Sequence, residues 1–265
     1  MPESARLRET CGVPRSQPTP PGPDRSGSHE GLAWALFMPS ATLGEAPEGG
    51  DRRLPEPPWP GVVICHGAGS SKESHFDFAR LAASAGWAAL AFDQRGHGES
   101  TPDLAAPEIV ADTVAMTRLL GAMRGVDGER VVVRGSSMGG TVAIHAAALD
   151  PYVAGVIAVC PAFERDLARA VRLGGLDMRV ADPVSLELWL SEQDLGDCVE
   201  SLDGRPLMLV HAEGDEQVPV AGSHELYDRA SEPKRLLTVP GGHHRSAQHD
   251  PELQAESLRW MLSRL

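Results

Sequence analysis

"RVVVRGSSMGG", Arg130–Gly140, is the stretch on which the reading of this chain turns. A β-branched run ends in two adjacent serines, and the apolar stretch MGGTVAIHAAAL (Met138–Leu149) follows at once. A nucleophile on a tight turn between a strand and a helix needs small residues two before and two after it, because the backbone there is strained and passes close to its neighbours. Ser137 has Gly135 and Gly139 in those places, whereas Ser136 has Arg134 and Met138, both too bulky. The segment therefore reads as strand, G-x-S-x-G elbow and helix, with Ser137 as the candidate nucleophile.

Working outward from the elbow, strands and helices alternate. Short apolar or β-branched runs at Val62–Cys65, Ala88–Phe92, Val131–Val133, Val153–Val159, Leu207–Val210 and Leu236–Val239 are bounded by Gly, Pro or Asp. Helical patterns lie between and after them, over Phe76–Ala85, Glu108–Met123, Met138–Leu149, Ala221–Ala230 and Glu252–Leu265. This alternation predicts an α/β fold, a mainly parallel sheet flanked by helices on both faces, with the ligand crevice at the carboxyl ends of the strands. One interval, residues 161–205, is too long for a simple crossover. Phe163, Leu167, Ala170 and Val171 fall at helical spacing there, and VSLELWLSE (Val184–Glu192) reads as a second short helix, so the interval is expected to be a small helical cap insertion. LAWALFMP (Leu32–Pro39) reads as the first strand, and Ser40–Gly61, rich in Pro, Gly and Glu, as a loop. Residues 1–30, rich in Pro, Ser, Gly and charge, are expected to form a flexible extension to one domain over 31–265.

Composition narrows the partners. The net charge is −13, with 37 acidic residues against 24 basic ones and no basic run, so a polyanion such as nucleic acid is repelled rather than bound. Apolar runs are far shorter than the roughly 20 residues a membrane helix needs, and the N-terminus lacks an apolar core of the kind a secretory signal carries. A cytoplasmic protein with no membrane partner is expected, its four cysteines (Cys11, Cys65, Cys160, Cys198) reduced. Three close histidines, His243, His244 and His249, have no carboxylate or cysteine spaced to complete an open metal shell. No metal and no cofactor are expected.

Four motifs in order, VVICHGAGSSKES (Val62–Ser74), AFDQRGHGES (Ala91–Ser100), VVVRGSSMGG (Val131–Gly140) and LVHAEGDEQVP (Leu209–Pro219), followed by VPGGHHR (Val239–Arg245), resemble the α/β-hydrolase superfamily. The chain is similar to its carboxylesterase, feruloyl-esterase-like and serine-aminopeptidase-like group from about Leu32 to the end. The resemblance implies a triad in the order Ser, acid, His. Its acid loop implies Asp215, with Glu213 and Glu216 as neighbouring rivals; its ending "PGxxHR" implies His244 as base, with His243 as rival and His249 a solvated residue. The oxyanion hole is implied at the backbone N–H groups of Met138, the residue after the nucleophile, and of Ala68. His66, Asp93, Arg95, Lys72 and Glu73 are read as braces rather than chemistry, and His145 and His211 as surface or packed residues.

The function so implied is a serine hydrolase that cleaves carboxylic esters of small molecules through an acyl-enzyme. A peptidase, amidase or thioesterase of the same fold is the nearest alternative, and a non-catalytic ligand-binding protein on a hydrolase scaffold the contrasting class. An aspartate or cysteine at the elbow would have pointed to an epoxide hydrolase, a dehalogenase or a dienelactone hydrolase; the serine argues against all three.

Overall fold

The structure, a computed structural model, describes residues 20–39, 56–175 and 177–265. In chain order the elements are β1 (Arg25–His29), β2 (Leu32–Phe37), β3 (Trp59–Cys65), α1 (Phe76–Ser84), β4 (Ala88–Phe92), α2 (Glu108–Gly121), β5 (Val126–Ser136), α3 (Met138–Leu149) and β6 (Val156–Val159). There follow α4 (Glu164–Arg172), α5 (Pro183–Ser191), α6 (Leu195–Glu200), β7 (Leu207–Ala212), α7 (Ala221–Arg229), β8 (Lys234–Val239), α8 (Ser246–His249) and α9 (Pro251–Leu262).

The strands form one eight-stranded sheet in the order β1-β2-β4-β3-β5-β6-β7-β8. Only the β1–β2 and β2–β4 pairs are antiparallel; every pairing from β4 through β3 to β8 is parallel. From β3 the chain steps outward to β4 and then returns to β3's other side as β5. That reversal opens a crevice at the carboxyl ends of β3 and β5, where a doubly wound sheet places its ligand.

Parallel strands covered on both faces read as continuous apolar runs, and β3, β4, β6 and β7 are buried along nearly their whole length. One face carries a core of Leu36, Val63, Leu90, Val133, Ile144 and Leu209 under α2, α3, α6 and α7; the other sets Ile64, Phe78, Trp87, Ile157, Met208 and Met261 under α1 and α9. A third apolar cluster lies off the sheet, where Leu167, Leu186 and Leu190 of α4 and α5 meet Ile109 of α2 and Met138 and Val142 of α3.

Two sequence expectations differ from this architecture. Strand β1 lies inside the stretch read as a flexible extension. It pairs with β2 from Arg25↔Leu36 to His29↔Leu32 across the two-residue turn Glu30–Gly31, whose φ values of 51° and 81° are those of a type I′ hairpin. RSGSH has no apolar alternation because it is an exposed edge strand, so periodicity alone does not reveal it. The interval between β6 and β7 holds three helices instead of two. The additional one, α6, has only six residues; its start is marked by Asp194, whose carboxylate accepts the N–H groups of Gly196 and Asp197. Residues 1–19 and 40–55, including Cys11 and most of the loop read between Pro39 and Trp59, lie outside the described residues. Cys65, Cys160 and Cys198 are free thiols, and no described helix is long and apolar enough to cross a membrane.

Candidate active site

β5 ends at Ser136 and α3 begins at Met138, so Ser137 alone forms the elbow. Its backbone sits at φ 55°, ψ −121°, a left-handed position that costs a non-glycine residue about 1–3 kcal/mol and persists only where the surroundings impose it. Here they do. A β-carbon on Gly135 would strike the Gly139 carbonyl, and one on Gly139 would strike the carbonyls of Cys65 and His66. The Ser137 N–H donates to the Val159 carbonyl at 2.9 Å, and its own carbonyl accepts the Gly140 N–H at 2.8 Å, which fastens the elbow between β6 and α3. Ser136 is buried, with no hydrogen-bond partner for its hydroxyl among the described residues.

The loop after β3 runs alongside. A β-carbon on Gly67 would stand 3.4 Å from Ser137 Cβ and 4.0 Å from its Oγ, so the backbone leading into Ala68 passes beside the hydroxyl. As the first residue of α3, Met138 carries a backbone N–H with no acceptor inside its own helix. The loop is held from below by neutral histidines. His66 donates from Nδ1 to the Gly67 carbonyl at 2.8 Å and accepts the Gln94 N–H on Nε2 at 3.0 Å. His97 donates to the Arg95 carbonyl at 3.0 Å and accepts the Gly69 N–H at 3.2 Å. Asp93 is fully buried, its carboxylate taking the backbone N–H of Lys72 at 2.7 Å and its Nζ at 2.8 Å, while Arg95 grips Asp112 with two bonds of 2.6 and 2.9 Å. These side chains brace the crevice, and His97 also lines the open cleft beside Gly69.

Burial pushes His66 down from 6.5 to about 4, and this has a consequence for stability. Below pH 6.5 the unfolded chain takes up a proton that the folded protein refuses, so the stability present above 6.5 is lost as pH falls toward 4, by about 3 kcal/mol for this one group. Denaturant unfolding at pH 7 and pH 4.5 should show that loss, and His66→Gln, less stable at pH 7, should lose less on acidification.

The other side of the crevice is formed by the loops after β7 and β8. Asp215 Oδ1 accepts the backbone N–H groups of Gln217 and Val218, each at 2.9 Å, and Oδ2 accepts His244 Nδ1–H at 2.7 Å. Burial alone would raise this carboxyl, yet the Val218 N–H, the His244 ring and the Gln217 N–H together hold it below its ordinary value. With Nδ1 donating, Nε2 is left as the proton acceptor of His244. Glu216, one of the rival acids, accepts the backbone N–H of His244 at 3.2 Å, and among the described residues no hydrogen bond links Glu213 to an imidazole. His243 is exposed, and its Nδ1 accepts the Arg245 N–H at 3.3 Å, so it caps the turn rather than meeting the acid. Ser137 Oγ and His244 are not hydrogen-bonded to each other among the described residues; such bonds are often long in an empty site and tighten around a substrate.

Several roles escaped the sequence reading. Cys160, at φ 46°, follows β6 and places its Sγ, an Asp215 oxygen and a His244 nitrogen within 4.8 Å of one another. Spacing along the chain does not show this thiol, because it is brought in from a different strand to a carboxylate and an imidazole that the resemblance already pairs. Burial pushes that thiol up to about 12, so at neutral pH it stands as a protonated neighbour of the carboxylate. His211 is fully buried, donating from Nε2 to the Val218 carbonyl at 2.9 Å with Asp215 Oδ2 at 3.4 Å. His249 is half-buried instead of solvated, since its Nδ1 pairs with Asp77 at 2.9 Å and its ring stacks on His75.

His145, two turns into α3, gathers all three helices of the insertion. Its Nε2 donates to Glu164 of α4 at 2.7 Å, its Nδ1 accepts from the Cys198 thiol of α6 at 3.3 Å, and its ring lies 5.5 Å from Trp189 of α5. Beneath these helices Leu104, Met138, Val142, Leu167, Met178 and Leu190 line a slot of about 30 Å³ that presents no polar surface. A wider cleft of about 650 Å³, open to solvent, lies beside Gly69, His97 and Arg245, and Met178 lines both.

Comparison with known proteins agrees with this architecture. Residues 56–203, more than half of the chain, match the family described as Hydrolase_4, serine aminopeptidase S33. The Escherichia coli O157:H7 protein YfhR, uncharacterized, is 25% identical over 213 residues, covering 77% of this chain and 70% of its own. The putative esterase YitV of Bacillus subtilis is 27% identical over 204 residues, covering 68% of this chain and 80% of its own. The matched stretch spans 64 to 70% of the length of YfhR from two Escherichia coli strains and of an uncharacterized Mycobacterium tuberculosis protein. Among solved structures, Est1E of Butyrivibrio proteoclasticus with ferulic acid bound superposes with a TM-score of 0.73 at 23% identity, covering 91% of this chain and 98% of Est1E. The strained elbow, the parallel sheet and the matched stretch lead to one placement: this chain is an α/β-hydrolase and belongs to the Hydrolase_4, serine aminopeptidase S33 family.

Proposed function

We propose that the protein is a serine esterase that hydrolyses carboxylic esters of small molecules with Ser137 as nucleophile, His244 as general base and acid, and Asp215 as the residue that orients the imidazole. The observation that carries this reading is the strained Ser137 backbone at φ 55°, a cost with no packing benefit that presents the hydroxyl beside the Gly67–Ala68 loop. Similarity to YitV, a putative esterase, supports the ester class.

In this account Ser137 Oγ attacks the ester carbonyl carbon while His244 Nε2 takes the hydroxyl proton. The carbonyl oxygen becomes an oxyanion and accepts the N–H groups of Ala68 and Met138; removal of one such donor typically costs about 2.7–4 kcal/mol of barrier stabilisation. The imidazolium returns its proton to the departing alkoxide, and the acyl group remains on Ser137. Water then attacks the acyl carbon, His244 takes a proton from it, and the acid leaves as the serine is reprotonated. The Asp215 carboxylate stabilises the imidazolium at both stages.

The slot bounded by Met138, Leu167 and Leu190 is apolar and narrow, which favours a short acyl chain. p-Nitrophenyl butyrate should be turned over with a kcat/KM more than about tenfold above that of the palmitate, since each unaccommodated stretch of chain forfeits its burial. Steady-state kinetics on a series of p-nitrophenyl esters, with amino-acid anilides and acyl thioesters alongside, tests the proposal. Faster turnover of anilides than of esters would replace it with a peptidase.

A further inference from the structure

We propose that the leaving-group side of this site is built for an ester whose alcohol portion carries an anionic group, a carboxylate or a phosphate, held by Arg245. The inference rests on the ester hydrolysis proposed above and adds the substrate class to it.

The two spaces that meet at Met178 differ in chemistry. The slot that includes Met138 is lined by apolar side chains with Thr141 among them and presents no polar surface. A charged group entering it would lose its hydration without gaining a partner. The cleft beside it is polar and open, lined by Gly69, Ser70, Ser74, Asp177, Arg179 and Arg245 among others. The direction of the reaction decides which part of a substrate occupies each. The departing oxygen must receive its proton from His244 Nε2, so the alcohol portion lies on the His244 side. Arg245 follows His244 in the chain and lines that cleft. The acyl portion is left to the apolar slot under α4 and α5.

Within the cleft the charges are unequally committed. Arg179 is held by Asp103 at 3.1 Å and by the Ser100 carbonyl. Ser70 and Ser74 are bonded to each other at 2.7 Å, and Ser74 donates to the Ser71 carbonyl at 2.6 Å. Arg245 is exposed, and among the described residues its guanidinium has neither an ion pair nor a side-chain hydrogen bond. In a chain of net charge −13, with acids outnumbering bases, an uncommitted arginine next to the base is a local reversal of the prevailing charge. A guanidinium is the side chain suited to grip a carboxylate or phosphate with two parallel bonds, and Asp177 is the one carboxylate among the residues that line the cleft.

The test compares butyryl esters of 4-hydroxybenzoate, of 4-hydroxyphenyl phosphate and of the neutral 4-hydroxybenzamide on the same protein. The wild-type enzyme should prefer at least one anionic ester over the neutral one by about tenfold or more in kcat/KM, the range expected of a hydrogen-bonded charge. The larger of the two anionic ratios identifies the carboxylate or the phosphate as the group recognised. In Arg245→Gln the ratio should fall to about one, and Arg245→Lys should retain part of it. Because each result is a ratio of two substrates on one preparation, it does not depend on how much of a variant folds. A wild-type ratio near one, or an Arg245→Gln ratio equal to the wild-type value, overturns this inference while esterase activity stands. Failure to turn over any of the three esters overturns the ester reading and this inference with it.

Discussion

Ser137→Ala is expected to lower kcat/KM for p-nitrophenyl butyrate by about 10⁵–10⁶-fold, the loss typical of removing a catalytic serine from a triad that acts as a unit. Nothing else in the elbow should change. Alanine tolerates φ 55° no better and no worse than serine, and the Ser137 N–H and carbonyl bonds to Val159 and Gly140 use the backbone alone. The loss should therefore come without a fall in thermal stability, which separates chemistry from folding. Ser137→Gly sharpens the point. Glycine occupies positive φ without strain, so this variant should be equally inactive and yet more stable than wild type by about 1 kcal/mol, once the added flexibility of the unfolded chain is set against the relief of strain. A variant that gains stability and loses activity marks a residue kept for function. Thermal melts and ester kinetics on the same preparations check both parts.

Asp215→Asn is expected to reduce kcat by about 10⁴-fold with little change in the backbone. The native carboxylate accepts Gln217 N–H and Val218 N–H on one oxygen and His244 Nδ1–H on the other. Asparagine keeps its oxygen for the two backbone donors, which turns its NH₂ toward His244. Nδ1 must then accept, the proton moves to Nε2, and the nitrogen facing the serine can no longer act as a base. Protonation of Asp215 should not reproduce this loss in the usual carboxylate range, because its carboxyl is held below the ordinary carboxylate value. A pH–rate profile for the wild-type enzyme should accordingly show no separate acid limb from Asp215 at the ordinary carboxylate pKa. Glu216→Gln makes a useful contrast. Its carboxylate accepts the backbone N–H of His244 and a side-chain N–H of Gln217, with no bond to an imidazole among the described residues, so the change in kcat should be less than about tenfold.

The parts of this architecture legible in sequence are those where a single physical demand acts on a few neighbouring residues. Gly135 and Gly139 announce the elbow because backbone atoms crowd both positions. The buried parallel strands announce themselves as apolar runs, and only their ends shift: the run Val153–Val159 pairs from Val156 on, and β8 begins at Lys234, two residues before its apolar core. What escapes is what the fold assembles from distant pieces. Strand β1 is stabilised by pairing with β2, not by its own side chains. The Cys160 thiol reaches Asp215 and His244 only because β6 and β7 are neighbours in the sheet. His145 joins Glu164 and Cys198 from separate helices, an arrangement that no spacing along the chain encodes. His249 is drawn into a half-buried pair with Asp77, 172 residues away.

On the proposed reading, Ser137 is nucleophilic because His244, oriented by Asp215, can take its proton. Incubation with a fluorophosphonate, followed by proteolysis and mass spectrometry, addresses it without knowledge of the natural substrate. One adduct is expected, on the peptide bearing Ser137, formed rapidly in the wild-type protein and slowed by at least about 10³-fold in His244→Ala. An unmodified Ser137 in folded protein, or an adduct that forms equally fast without the His244 imidazole, would contradict it.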